Sequence, residues 1–171
     1  MRHLLTISLI LLTARVDAQP MATVIKTQAI AMGRALVNHD QATFVRYMHP
    51  DMRKLAGSSE KVRQGMDSAF ALFEAMGGKV NKISYGDPGE IFNFDNQLQA
   101  ILPQYTSVST SFADVELTSM LLAVSMDGGK QWYFTEPNAY RAAAKKANLP
   151  PLSPNLVIPP PAQPKITPKK Q

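Results

Sequence analysis

From Met21 to Met76 the apolar residues return every three or four positions, a rhythm that lines them along one side of a helix. Ile25, Ala29, Met32 and Leu36 make such a stripe over a first predicted helix, Met21 to Asn38. Asn38-His39-Asp40 interrupts it. The Asp40 carboxylate is suited to accept the free N–H groups of a second helix, Gln41 to Met48, whose stripe is Phe44, Val45 and Met48. Proline needs no hydrogen bond in a first helical turn, so Pro50 suits the start of a short helix, Asp51 to Leu55. Gly57-Ser58-Ser59 caps a longer helix from Glu60, with Val62, Met66, Ala69, Phe70, Phe73 and Met76 on its apolar side. Gly77-Gly78 stops it.

Beyond Gly78 the period drops to two, the signature of strands. Val80 to Tyr85 and Glu90 to Phe94 are predicted strands separated by Asp87-Pro88-Gly89, and Asp95-Asn96 marks another turn. Gln97 to Tyr105 alternates Leu98, Ala100 and Leu102 with Gln97, Gln99 and Ile101. A long apolar strand, Val115 to Met126, leads through Asp127-Gly128-Gly129 into Gln131 to Thr135, where Trp132 and Phe134 face opposite to Tyr133. Helices followed by antiparallel strands predict an α+β fold with the helices on one face of the sheet. Asn138 to Ala147 reads as a last short helix.

Asn148 to Gln171 holds eight of the 13 prolines. Proline lacks the N–H that helices and interior strands require, so this stretch is expected as a disordered tail or an extended, semi-rigid spacer. Leu156-Val157-Ile158 is its one apolar run with a contact to offer the domain. At the other end, Arg2, the apolar run Leu4 to Leu12 and Val16-Asp17-Ala18 have the three parts of a secretory leader, cleaved after Ala18. The expected organisation is a leader over 1–18, one α+β domain over 19–148 and a proline-rich tail over 149–171. The mature chain is expected in the periplasm or medium, with no membrane anchor.

Charge narrows the partners. Of the formal net charge of +5, the leader carries +1 and the tail lysines Lys165, Lys169 and Lys170 carry +3, leaving +1 on the domain. That balance gives no electrostatic footprint for nucleic acid. With no cysteine in the chain, thiol nucleophiles, cysteine metal sites and disulfides are excluded, and the core must hold the fold. The histidine spacing suggests no metal site and no motif suggests a cofactor.

Ser125-Met126-Asp127-Gly128-Gly129-Lys130-Gln131-Trp132 resembles the Asp-box hairpin of sialidase-type propellers, S-x-D-x-G-x-T-W, with Gln131 in place of the Thr. The resemblance implies a structural role for Ser125, Asp127, Gly129 and Trp132: Ser and Asp tie the turn, and Trp packs beneath the sheet. The order of elements, three helices and then a long antiparallel sheet, is similar to that of the NTF2-like (cystatin-like) cone superfamily over roughly Met21 to Glu136. That resemblance implies a pocket between the helices and the concave sheet face.

Two functional readings follow. In the first, the chain is an exported, non-enzymatic NTF2-like module that binds a small apolar or peptide ligand or an envelope protein, with a homodimer as a further option. In the second it is an isomerase or hydrolase, with His49 as general base oriented by Asp51 in a pocket of Tyr47, Tyr85 and Trp132. A structural reading of the same residues places His49 in a helix–helix turn, with Asp51 capping the next helix. His39 is expected to be a solvated turn residue.

Overall fold

The computed structural model describes residues 18–170. Four helices come first: α1 (Ala18–Val37), α2 (Gln41–Arg46), α3 (Pro50–Leu55) and α4 (Ser59–Ala75). Side chains satisfy their otherwise unpaired N–H groups: Asp40 accepts from Thr43, His49 from Asp51 and Ser58 from Lys61. The cap of α3 is thus the His49 ring, and Asp51, the second residue of the helix, is its favourable first-turn charge. The expected leader, up to residue 17, lies outside the described residues.

The strands are β1 (Lys79–Tyr85), β2 (Phe92–Phe94), β3 (Gln97–Ser109), β4 (Ala113–Ser125) and β5 (Tyr133–Thr135). After them come α5 (Pro137–Ala147) and β6 (Lys165–Pro168). All pairings are antiparallel and the sheet is strongly curled, giving an α+β, cone-like fold. Its spine is the β3–β4 hairpin, paired from Leu98–Ser125 to Ser109–Asp114. β1 and β2 share the outer edge of β3, and β5 and β6 share that of β4. β5 begins two residues later than the alternation suggests. The Gln131 N–H is taken by the Asp127 carboxylate and the Trp132 N–H by Gln28 Oε1, so neither enters the ladder.

One face of the sheet meets α1. Ile25, Ala29 and Met32 pack on Tyr85, Ala100, Leu102, Leu121, Ala123, Trp132 and Phe134, so the even-numbered side of β3 faces the helix. The approach is close. A Cβ at Gly33 would stand 2.5 Å from the Tyr85 hydroxyl, so only glycine lets this ring lie on the helix. The chain then passes round the edge of β5, where the Phe134 N–H donates to the Tyr47 carbonyl, and Met52 of α3 reaches the opposite face.

The opposite face carries Ile101, Leu122, Val124 and Tyr140, and part of the proline-rich segment joins it. Leu149, Leu152, Leu156 and Ile158 lie against this cluster. Gln99, wholly buried, grips the segment like a peptide unit: its Oε1 accepts the Ser153 N–H at 2.7 Å and its Nε2 donates to the Pro151 carbonyl at 2.9 Å. Tyr140 donates to the Pro150 carbonyl and receives Gln97 Nε2. The proline segment has few donors of its own, so Gln99 and Tyr140 bind two of its carbonyls and one of its N–H groups, and Gln97 holds the tyrosine hydroxyl in place.

Candidate functional site

His49 is 1% exposed. Its ring lies between Tyr133 and Tyr140, with centroids 5.9 and 5.8 Å away, both near edge-on. Nδ1 accepts the Asp51 N–H at 3.3 Å, which places the ring proton on Nε2. A base oriented by a carboxylate needs the reverse, an Nδ1–H donated to that carboxylate and a free Nε2 facing substrate. Here Asp51 Oδ2 is 4.0 Å from Nδ1, and Asp51 Oδ1 is bound by Lys54 at 2.7 Å. Nε2 is buried, with no protein partner among the described residues. Burial moves the histidine pKa below its ordinary 6.5, with Asp51 opposing and Arg53 and Lys54 adding to the fall.

Tyr47, His49, Tyr85 and Trp132 do not converge on one cavity. Trp132 is fully buried and Tyr85 nearly so, both in the layer beneath α1. Tyr47 packs at its margin, 6.3 Å from the Phe134 ring, and His49 belongs to the far side with Tyr133 and Tyr140. Desolvation raises the pKa of the Tyr85 hydroxyl, which favours the neutral phenol. In the β4–β5 turn, Asp127 Oδ1 accepts from the Ser125 hydroxyl and from the N–H groups of Lys130 and Gln131, while Ser125 Oγ accepts from Gly129. Trp132 Nε1 donates to the Gly129 carbonyl at 2.9 Å, closing the turn over the indole. The Gln131 N–H is the largest of the contacts that hold the Asp127 pKa down.

The helix–sheet layer opens elsewhere, at a cleft of about 260 Å³ where α1 ends, α4 ends and β1 begins. Val37, Phe70, Phe73 and Val80 line it, with His39, Glu74 and Lys79 among its polar groups. A side chain at Gly78 would run into the Phe73 ring, so glycine there keeps that wall in place. His39 is an exposed turn residue, as expected, and borders this cleft. It holds a left-handed backbone, φ 56°, at the end of α1, where the Asp40 N–H closes back onto the Ala35 carbonyl. Glycine or asparagine usually occupies such a position, because a Cβ there costs about 1–2 kcal/mol. The ring sits 4.5 Å from that of Phe70, and Nε2 is 3.4 Å from Glu74 Oε1. The sequence carried one signal of this, a histidine where a helix end calls for glycine.

Among the described residues there is no cluster of three or more potential metal ligands, and no helix is long and apolar enough to cross a membrane. No family model, curated protein or solved structure matches the chain.

Proposed function

We propose that the chain is an exported, non-catalytic binding module of NTF2-like type whose ligand seat is the cleft at His39. The ligand class is a small, mainly apolar molecule with one polar end: aromatic and valine side chains offer the apolar wall, and His39, Glu74 and Lys79 offer hydrogen bonds. The observation that carries this reading is His39 itself. A residue kept in costly backbone geometry, with its imidazole over an apolar opening, points to a use for that imidazole. The volume is just below the usual range of ligand pockets, about 300–1,000 Å³, which suits a compact occupant. The non-catalytic half of the reading is supported by His49, whose ring nitrogens are engaged or buried and whose carboxylate neighbour is bound to lysine.

Native mass spectrometry of the protein purified from its own host tests the proposal. A small adduct is expected on the wild-type chain. It is expected to be absent from His39→Gly, whose melting temperature should equal or exceed that of the wild type because glycine relieves the backbone. A wild-type chain without adduct, or equal retention by both proteins, rejects the His39 seat. Turnover of the retained compound rejects the non-catalytic reading.

A further inference from the structure

The outer edge of β4 is occupied at its two ends by different means. β5 pairs with Leu122–Val124, and β6 pairs with Ala113–Glu116. Between them the edge faces Pro159, Pro160 and Pro161, whose missing N–H groups cannot continue the ladder. β6 therefore arrives as a separate strand on a stiff tether. Residues 159–164 include four prolines, which in extended polyproline geometry reach roughly 19 Å at about 3.1 Å per residue.

All four residues of β6 are exposed, so no side-chain burial ties this strand to its own domain. Its fastening is backbone pairing plus charge. Lys165 Nζ lies 3.1 Å from Glu116 Oε2 and Lys169 Nζ 3.4 Å from Asp114 Oδ1. Lys169 also donates its N–H to the Phe112 carbonyl and its ammonium to the Thr110 carbonyl. Along this seam Phe112, Leu117 and Ile166 stand exposed, an apolar margin that a second domain would cover.

We propose that the Ala113–Glu116 edge accepts the β6 segment of a second copy, giving a two-fold dimer by reciprocal strand exchange. Both halves of the recognition are in this chain: an acceptor carrying Asp114, Val115 and Glu116, and a donor carrying Lys165, Ile166 and Lys169. Exchange keeps every pairing and both ion pairs while adding cover for the apolar margin. The balance is then set by tether stiffness and protein concentration.

The chain has no cysteine, which makes the test direct. Val115 and Ile166 are register partners, so the double variant Val115→Cys, Ile166→Cys reports where β6 sits when oxidised. Exchange predicts disulfide-linked dimers whose fraction rises with concentration, and little dimer from either single variant. Light scattering of the wild-type chain should give a dimer that salt weakens and that Lys165→Glu, Lys169→Glu abolishes without lowering the melting temperature of the monomer. Intrachain disulfides alone at every concentration overturn the proposal. So does a dimer that survives the double charge reversal, or equal cross-linking by the single variants.

Discussion

A histidine whose Nδ1 accepts a backbone N–H must be neutral at that nitrogen, and His49 holds this state between two tyrosine rings. Because its folded pKa lies below the ordinary 6.5, the unfolded chain binds the proton more readily. Stability contributed by this residue is thus complete above about pH 6.5 and is lost as pH falls toward the folded pKa. Melting curves should fall from neutral pH into this acid range. His49→Asn keeps a capping acceptor but no titration, so its curve should be flatter there. At neutral pH the variant should be less stable by about 1–3 kcal/mol, from the space left between the rings. Equal slopes for the two proteins would exclude His49 as the acid-sensitive group. The capping role was legible in Tyr47-Met48-His49-Pro50-Asp51, but the atom was not: the imidazole, and not the Asp51 carboxylate, accepts the N–H.

Single elements were mostly readable because their signals are local. Asp40, Ser58, Pro50 and the apolar stripes mark helices α1 to α4 within a few residues. The alternation from Leu98 to Leu102 likewise fixes which side of β3 meets α1. What local pattern could not reveal is that Gln97 and Gln99, polar residues on the other side, are buried by later chain, with Gln97 meeting Tyr140 of α5 and Gln99 the proline segment. A glutamine in a strand reads as solvent-facing until something is known to cover it. Gln99→Leu leaves the Ser153 N–H and the Pro151 carbonyl without partners. It should cost about 2–6 kcal/mol in chemical denaturation, at roughly 1–3 kcal/mol per stranded group. It should also free residues 149–158 for proteolysis. Unchanged stability and protection would mean that this grip contributes nothing. The His39 cleft was hidden for a related reason, since it joins the end of α1 to the α4–β1 junction, well downstream in sequence.

Across the whole molecule, the β3–β4 ribbon passes through two environments. At the end around Ala100 and Leu122 it is covered on one face by α1 and on the other by α5 and the proline segment. At the end around Ser107 and Glu116, the outer edge of β4 borders only the exposed β6, while Tyr105 and Leu117 remain in contact with solvent. One hairpin therefore spans a gradient of local free energy. Amide deuteration should record it as slow, globally limited uptake at Ala100–Leu102 and Leu121–Ala123, against faster uptake through local opening at Thr106–Ser109 and Ala113–Leu117. Uniform uptake along both strands would contradict this. The ribbon behaves like a zipper with a welded end and a working end: the first keeps the shape of the protein, and the second can part and rejoin without the whole molecule coming undone.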